Sequence, residues 1–310
     1  MTGVVGVIGL GIMGSAMAGH LVEAGFEVVG YDIVSQKRDA LTRAGARAAS
    51  SVAEVAEATG PGGVVITSLP SPEALAAVTA PDGLPAGGKP GLVVAETSTL
   101  ALQVKLAARD ALAGSGIVLL DCTISGTGAQ ARARDLVFYA SGDEAAVERC
   151  LPVLRAVGRN VHQVGAFGNG SKMKFVANLL VSIHNLATAE AMLLARKAGL
   201  DPQTVLRAIA DGAGASRIFE LRGPLIAEQR YDEPTATVRM FLKDLDAIGR
   251  FAGSLAVPTP LFSACVPFYL AAAAQGRHDQ DVASLGAVLE AMAGAGAQEA
   301  DQAASRQAGP

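Results

Sequence analysis

The chain opens with alternating apolar runs and helical repeats. An apolar run at residues 4–8 leads into the turn Gly9-Leu10-Gly11-Ile12-Met13-Gly14, and apolar residues then recur at helical spacing until Gly25. A second apolar run, at residues 27–31, ends in Asp32. This order of strand, glycine-rich turn, helix, strand and terminal acid is typical of a dinucleotide-binding unit.

Each position in this unit has an expected role. Gly9 allows the tight turn, Gly11 lets the backbone approach a pyrophosphate, and Gly14 lets the helix pack closely on the strand. The N–H groups at the helix start, around Leu10, Ile12 and Met13, are expected to face the phosphates. Asp32 is placed to accept hydrogen bonds from the adenosine ribose hydroxyls. We therefore expect a bound nicotinamide or flavin nucleotide rather than a purely structural glycine turn.

The same alternation continues to about residue 163. Further strands are predicted at 64–66, 92–95, 117–120, 136–139 and 160–162, with helices near 35–44, 72–79, 100–113 and 143–156. Such alternation predicts a mostly parallel sheet with helices on both faces, so residues 1–163 are expected to form a Rossmann-type α/β domain. Leu69 and Pro70 follow the strand at 64–66 and should border the cofactor, because ligands bind beyond the carboxyl ends of such strands.

Strand patterns stop after residue 163. Helices are predicted at 171–198, 202–211, 217–227, 237–251, 259–274 and 281–293, which makes residues 164–310 an all-α domain. The first of these helices is apolar almost all round, which favours burial both within this domain and at a contact between subunits. We therefore expect a homodimer or a homotetramer.

Composition narrows the class of protein. The chain has 310 residues, 50% of them hydrophobic and 17% charged, as expected for a globular protein of two domains. The net charge of −4, without a basic block, argues against a nucleic-acid partner. The best candidate for a membrane span, residues 264–274, is short and contains Pro267, so no membrane partner is expected. Three cysteines without a CxxC pair are interpreted as reduced thiols of a cytoplasmic protein.

Two lysines are candidates for proton transfer. Oxidation of a hydroxylated carbon needs a group that takes the hydroxyl proton, and a lysine can do this when burial lowers its pKa. Lys174 and Asn178 are four residues apart and share a helix face, whereas Lys172 projects from another face. By spacing alone, a solvated surface lysine is as good an interpretation as a catalytic one.

Two further segments carry polar groups. Asp121-Cys122-Thr123-Ile124-Ser125-Gly126-Thr127-Gly128 follows the strand predicted to end at Leu120, and a Ser-Gly turn there could hold a carboxylate or be an ordinary turn. Lys243-Asp244 lies in an apolar helix frame, where such a charge pair is usually only solvated. The four histidines are scattered without metal-ligand spacing, so no metal site is predicted.

From Val4 to about Ala293 the chain resembles the β-hydroxyacid dehydrogenase family, which includes 3-hydroxyisobutyrate dehydrogenase and tartronate semialdehyde reductase. Six segments carry the resemblance, in order. They are Gly9–Ala18 for the family's GxGxMGxxMA start, Thr67–Pro70 and Glu96–Thr99 for its cofactor segments, Asp121–Gly126 for its D-x-P-V-S-G loop, Gly168–Asn178 for its catalytic helix and Lys243-Asp244 for its late K-D motif.

The resemblance implies a role for individual residues. It selects Lys174 over Lys172 as the catalytic acid/base, assigns Ser125, Gly126, Thr127 and Asn178 to the substrate, and adds Thr99 and Lys243 to the cofactor site. Thr123 stands where the family has proline, Thr127 where it has a second glycine, and Ala177 where it often has asparagine. Arg132 and Arg134, in place of less charged residues, could bind an acid group or lie in solvent.

The resulting hypothesis is an NAD-dependent oxidoreductase that interconverts a small hydroxy acid and its semialdehyde or keto acid. NADP is less expected because no arginine directly follows Asp32, and Lys37 and Arg38 are expected to lie one helical turn too far away. The alternatives are an imine reductase of related fold, against which Lys174 argues, and a nucleotide-binding module that has lost its chemistry.

Overall fold

The computed structural model of the chain describes residues 3–294. It divides by contacts into two compact units, residues 1–174 and 175–310, which are described separately. The division falls inside a helix, later than the predicted boundary at residue 163, because the first turn of that helix is hydrogen-bonded to strands of the first unit.

The first unit is an eight-stranded sheet with helices on both faces, which confirms the predicted α/β Rossmann-type domain. The strands are β1 (Val4–Ile8), β2 (Glu27–Tyr31), β3 (Arg47–Ala48), β4 (Val64–Thr67), β5 (Val93–Glu96), β6 (Val118–Ser125), β7 (Val137–Ser141) and β8 (Asn160–Gln163). The helices are α1 (Ile12–Glu23), α2 (Ser35–Arg43), α3 (Val52–Thr59), α4 (Pro72–Thr79), α5 (Leu84–Gly87), α6 (Leu102–Ala113), α7 (Gly128–Arg132) and α8 (Glu144–Val157).

The strand order is β3-β2-β1-β4-β5-β6-β7-β8. All pairs are parallel except β6 with β7, which are antiparallel. Successive residues of a strand enter opposite cores, since side chains alternate between the two faces of a sheet. In β4, Val64 and Ile66 pack on the face that α1 and α8 cover, while Val65 packs on the other face with residues of α3 and α6.

The second unit is helical, as predicted from its apolar spacing. Its elements are α9 (Asn169–Lys197), which begins in the first unit, α10 (Pro202–Ala210), α11 (Arg217–Ala227), α12 (Val238–Ser254), α13 (Pro260–Ala274), a short 3₁₀ turn (Val282–Ser284) and α14 (Leu285–Met292). Their buried faces share one core that includes Phe175, Phe241 and the fully buried Tyr269. An antiparallel bridge between Thr237 and Asp281 is its one isolated β contact among the described residues.

Helix α9 is the one described helix long and apolar enough to cross a membrane by length and composition; 39% of its most apolar window is buried. The expectation that residues 264–274 were the best candidate was therefore wrong. Two hydrogen bonds tie α9 to a buried side chain of the second unit. Asn185 Nδ2 donates to Tyr269 Oη (3.2 Å), and that hydroxyl donates to Ser182 O (3.0 Å). These are contacts of a helix packed in a protein core.

Candidate active site

The glycine-rich turn lies between β1 and α1 and has the shape that its sequence predicts. Gly9 has φ of +89°, a conformation that L side chains rarely adopt, and a Cβ at Gly14 would overlap the carbonyl oxygen of Gly9. Gly11 caps α1, no side chain satisfies the N–H groups of the first turn, and a Cβ at Gly11 would meet nothing within 4 Å. Open space beside unsatisfied helix-start amides fits a pyrophosphate.

The other residues assigned to the cofactor differ in their surroundings. Leu10 is 2% exposed and its side chain packs in the core, so only its backbone faces the turn. Ile12 is 69% exposed, and Met13 packs partly on the core. Leu69 and Pro70 follow β4, where Leu69 N donates to Ser98 Oγ (2.8 Å), one residue before the half-buried Thr99.

Asp32 at the end of β2 is buried, and its carboxylate organises the turn. Oδ2 accepts from Leu10 N (2.8 Å) and Oδ1 accepts from Val34 N (2.9 Å). Burial raises the pKa of Asp32, but these two backbone donors and Lys37 more than offset that effect, so its pKa lies below the usual value of 3.8. The carboxylate is therefore ionised near neutral pH and keeps lone pairs for ribose hydroxyls.

The expected distance of Lys37 and Arg38 from Asp32 was wrong. Lys37 Nζ donates to Asp32 Oδ2 (3.2 Å), and Arg38 Nη1 donates to the backbone oxygen of Asp32 (2.5 Å). The Arg38 guanidinium also lies 5.6 Å from the centre of the Tyr31 ring. Both residues reach back because α2 begins at Ser35 and long helical side chains point toward the helix N-terminus.

Residues 121–125 belong to strand β6, so the predicted strand end at Leu120 was wrong. β6 runs on to Ser125 because its last residues pair antiparallel with β7, from Asp121 opposite Ser141 to Ser125 opposite Val137. The chain turns after it, at Gly126 with φ of +146°. Thr127 N donates to Gln130 Oε1 (3.0 Å) and starts α7. Ser125, Gly126 and Thr127 are half-buried, while Arg132 and Arg134 are exposed.

Helix α9 begins against the ends of β6 and β7. Ser171 N donates to Asp121 Oδ2 (2.6 Å), Gly170 N donates to Ser141 Oγ (2.9 Å), and Thr123 Oγ1 donates to Gly170 O (2.7 Å). Thr123 stands at the family's proline position, and its hydroxyl makes a bond that proline could not make. The start of α9 is thus held by three separate hydrogen bonds.

The two candidate lysines of α9 have different environments. Lys174 is 8% exposed, whereas Lys172 is exposed and its Nζ lies 3.2 Å from Asn169 Oδ1 at the helix start. Asn178 follows Lys174 by one turn and is 6% exposed. A buried lysine is uncommon and often has a functional role. Burial therefore distinguishes Lys174 from Lys172, whereas spacing alone left both as candidates.

Three charged side chains lie without solvent exposure beside the end of β5 and the middle of β6. Lys105 Nζ on α6 is 2.6 Å from Glu96 Oε2 and 2.7 Å from Asp121 Oδ1. Burial disfavours the ammonium ion, but the two carboxylates raise the pKa of Lys105 above its usual value. Sequence reasoning missed this cluster. Its signal was a lysine in the apolar stripe of α6, with Ala108 and Leu112, and an acid directly after each of the two predicted strands, at Glu96 and Asp121.

The second unit holds the remaining candidates. Asn178 Nδ2 donates to Asp244 Oδ2 (2.8 Å), so the K-D motif of α12 orients the Asn178 amide through its aspartate. Lys243, the residue assigned to the cofactor, is exposed on the same helix. Sequence reasoning singled out this motif for its lysine and overlooked the aspartate. No group of three potential metal ligands occurs among residues 3–294.

Two family models match the chain in succession. The model described as the NAD-binding domain of 6-phosphogluconate dehydrogenase matches residues 4–165. The model described as NAD-binding of NADP-dependent 3-hydroxyisobutyrate dehydrogenase matches residues 168–304. Together they cover both structural units in the order that the structure shows.

Several proteins are similar over nearly their full lengths. L-threonate dehydrogenase of Pectobacterium atrosepticum is 34% identical, over 89% of this chain and 91% of its own. NAD-dependent L-serine dehydrogenase of Pseudomonas aeruginosa is 31% identical, over 88% and 93%. The crystal structure of 3-hydroxyisobutyrate dehydrogenase from Salmonella typhimurium is 31% identical, with a TM-score of 0.82 over 92% of this chain and 99% of that one.

Imine reductases share the fold at a greater distance. The enzyme from Pseudomonas sp. is 19% identical, with a TM-score of 0.62 over 93% of this chain and 100% of that one. At this identity the likeness concerns the fold alone.

Proposed function

The chain belongs to the β-hydroxyacid dehydrogenase family of NAD(P)-dependent oxidoreductases that act on CH–OH groups, and on that premise we propose that it interconverts a small hydroxy acid and its semialdehyde or keto acid, with Lys174 as the acid/base. The burial of Lys174 at the hydrogen-bonded start of α9 carries this proposal. A lysine can serve in both directions of the reaction, because its neutral amine accepts a proton and its ammonium donates one.

In the first unit, one set of residues binds the cofactor and another set binds the substrate. The turn from Gly9 to Gly14 holds the pyrophosphate, and Asp32 accepts hydrogen bonds from the adenosine ribose. Ser125 and the backbone of Gly126 and Thr127 hold the substrate carboxylate. When bound, NAD takes up the hydride in oxidation and supplies it in reduction.

Lys174 moves the proton. In oxidation its neutral amine accepts the hydroxyl proton of the substrate, and in reduction its ammonium donates a proton to the carbonyl oxygen. Asn178 lies one helical turn after Lys174, and its amide is held by a hydrogen bond to Asp244. We assign this amide to the substrate oxygen. Leu69, Pro70 and Thr99 contact the nicotinamide half of the cofactor, and Lys243 keeps the cofactor role that the family resemblance implies.

NAD is the proposed cofactor, and Asp32 is the reason. A 2′-phosphate in place of the ribose hydroxyl would meet an ionised carboxylate. Lys37 and Arg38 are already bonded to Asp32, which lowers their value as phosphate ligands. The relative named NAD-dependent L-serine dehydrogenase is consistent with this choice, whereas the second family model is described by an NADP-dependent enzyme.

A substrate panel tests the proposal. Purified enzyme with NAD is mixed with L-threonate, L-serine, 3-hydroxyisobutyrate and other short hydroxy acids, and reduced cofactor is followed by absorbance. A cyclic imine with reduced cofactor serves as the comparison. Turnover of at least one hydroxy acid is the expected result. Turnover of the imine alone would show that the chain is an imine reductase. Tight NAD binding with no turnover of any compound would show that it is a nucleotide-binding module without enzymatic activity.

Two properties of the whole protein belong to the same proposal. We place the enzyme in the cytoplasm because its three cysteines are free and buried, as in a reducing compartment. We also propose a homodimer or a homotetramer, because large apolar side chains of the second unit are exposed in the single chain.

A further inference from the structure

The buried cluster of Glu96, Lys105 and Asp121 has no solvent contact, so its charges act only on groups of the protein. Glu96 and Asp121 are register partners on the adjacent strands β5 and β6. Lys105 lies between their carboxylates, at 2.6 Å and 2.7 Å. Two buried carboxylates this close repel each other, and the ammonium of the lysine between them offsets that repulsion.

The Glu96 end of the cluster leads to the cofactor segment. Glu96 Oε1 accepts a hydrogen bond from Ser98 N (2.9 Å), which fixes the turn after β5. The Ser98 hydroxyl oxygen in turn accepts from Leu69 N (2.8 Å). A chain of two hydrogen bonds therefore connects the buried carboxylate to the loop that we assign to the nicotinamide.

The Asp121 end leads to the helix that carries Lys174. Asp121 Oδ2 accepts from Ser171 N (2.6 Å), and Oδ1 accepts from the Ser171 hydroxyl (3.1 Å). Ser171 is 1% exposed and precedes Lys174 by three residues, which is less than one helical turn. The orientation of the first turn of α9, and with it the direction of Lys174, depends on these two bonds.

We propose that Lys105 is a positioning residue for the reaction, which joins the cofactor loop at Leu69 to the first turn of the Lys174 helix through Glu96 and Asp121. This inference rests on the proposed role of Lys174. In this role Lys105 contacts neither the substrate nor the cofactor. It holds two carboxylates in place through ion pairs, and each carboxylate accepts a backbone N–H group of a segment that contributes to the site.

Stability alone does not explain the cluster. Apolar residues of similar size are often as stable in a protein interior as a buried ion group, because three charges lose their hydration when they are buried. The charged cluster accepts hydrogen bonds from backbone N–H groups of two functional segments. These directional bonds fix the orientation of each segment, which apolar packing does not do.

The test removes the bridge and leaves the charge of the cluster unchanged. In wild type, two carboxylates and one ammonium leave one negative charge, and in the double variant Lys105→Met/Glu96→Gln, Asp121 alone leaves the same charge. The glutamine side-chain oxygen of this variant can still accept from Ser98 N. We expect kcat to fall by about 10- to 100-fold, since small displacements of a catalytic group cost rates of this order. A deuterium at the oxidised carbon should then slow turnover more than in wild type.

Amide hydrogen exchange provides a readout that does not depend on activity. Exchange at Leu69 and at residues 171–174 should be faster in the double variant than in wild type, while exchange in the strands β1 and β4 should not change. This readout separates the inference from the proposed chemistry. Full activity of a Lys174→Ala enzyme would refute the acid/base role, whereas unchanged exchange at these amides would refute the positioning role.

The second unit offers a matched control. Arg222 Nε lies 3.4 Å from Asp281 Oδ1, and both side chains are nearly inaccessible. Arg222→Met/Asp281→Asn removes this buried pair with no change in net charge, so we expect a lower melting temperature but a kcat within about twofold of wild type. A similar loss of stability in the two double variants, with kcat preserved in both, would show that Lys105 is only structural and overturn the inference.

A smaller change covers the case in which the double variant does not fold. Ser171→Ala removes one bond to Asp121 and leaves all three charges in place. We expect kcat to fall by about threefold to tenfold, with the Kd for NAD unchanged, because only the helix end of the network is weakened. Wild-type kcat in Ser171→Ala, together with wild-type exchange at residues 171–174, would contradict the inference.

Discussion

At the scale of single residues, burial distinguishes groups that look alike in the sequence. Lys172 and Lys174 are two positions apart, yet only Lys174 is removed from solvent. Asp32 is one of many acids, yet two backbone N–H groups and Lys37 converge on its carboxylate. Two predictions follow from these environments.

Lys174→Ala should lose nearly all turnover while NAD binding stays close to wild type. Loss of a positioned acid/base group costs about 10²- to 10⁴-fold in rate, and the dinucleotide contacts lie in the turn at Gly9–Gly14 and at Asp32. Steady-state kcat and a fluorescence titration with NADH measure the two effects. Lys172→Ala is the control and should stay within about twofold, as surface substitutions do. A dead Lys172 variant beside an active Lys174 variant would mean that the wrong lysine has been assigned.

Asp32→Ser should shift the enzyme toward NADP. Without the carboxylate, Lys37 loses its present partner and becomes available to a 2′-phosphate, and Arg38 lies beside it, bonded only to the backbone oxygen of residue 32. Charge-assisted hydrogen bonds contribute about 1.5–3 kcal/mol each, so the ratio of kcat/KM for NAD over NADP should fall by about tenfold or more. The triple variant that also carries Lys37→Ala and Arg38→Ala should lose the gain. An unchanged ratio in Asp32→Ser would show that these residues do not select the cofactor.

At the scale of elements, the turn between β1 and α1 and the start of α9 are the segments on which the site depends. In both, the backbone is held so closely that a side chain has no room. A Cβ at Gly14 would overlap the Gly9 carbonyl oxygen, and a Cβ at Gly170 would lie 2.5 Å from the carbonyl oxygens of both Asp121 and Tyr139. Glycine is required at positions 14 and 170 because a close backbone contact leaves no room for a side chain, and not because the backbone there is left-handed.

Helix α1 contains two glycines, one in close backbone contact and one in open space, so the second serves as a control for the first. Gly14→Ala should push the glycine turn away from β1 and weaken NAD binding by about tenfold or more, because the pyrophosphate amides move with the turn. Gly19 is in the same helix, and a Cβ there would meet nothing within 4 Å. Gly19→Ala should instead stabilise the protein by about 0.5–1 kcal/mol through helix propensity. Urea unfolding and NADH titration of both variants measure the contrast, and equal NADH affinity in the two would contradict it.

At the scale of the whole molecule, the second unit exposes more apolar surface than a helical domain of its size requires. Leu180 and Leu194 of α9 are 50% and 72% exposed, and Leu261 and Leu270 of α13 are 67% and 54% exposed. Single exposed leucines are ordinary in soluble proteins, but four on two helices are the observation on which the proposed homodimer or homotetramer rests.

Light scattering should therefore give at least the mass of a dimer at micromolar concentration. Leu194→Glu/Leu270→Glu places two charges on the apolar surface and should shift the protein toward monomer, because an unpaired charge in an apolar interface is costly. Ile33→Glu, which alters an 85% exposed residue of the first unit, is the control and should leave the mass unchanged. A monomeric wild type at this concentration would refute the prediction.

Local patterns were sufficient for most of the fold. The strands at 4–8 and 27–31 and the helix at 72–79 have their predicted bounds, since each depends on the spacing of its own apolar residues. The family and its cofactor were also readable from motifs, because the chemistry of phosphate binding requires glycines at fixed spacing. The elements β3, α3, α5 and α7 were missed. Of these, β3, α5 and α7 have only 2, 4 and 5 residues, too few to show a period.

Tertiary structure decided what depends on partners distant in the sequence. β6 extends to Ser125 only because β7 pairs with it, and α9 starts where Asp121, Thr123 and Ser141 receive it. The charge cluster joins residues from β5, α6 and β6 that no local window contains. A sequence records which groups are present and how they repeat along one element. Which buried charge meets which backbone N–H group is settled only when separate elements pack, because hydrogen bonds act over about 3 Å.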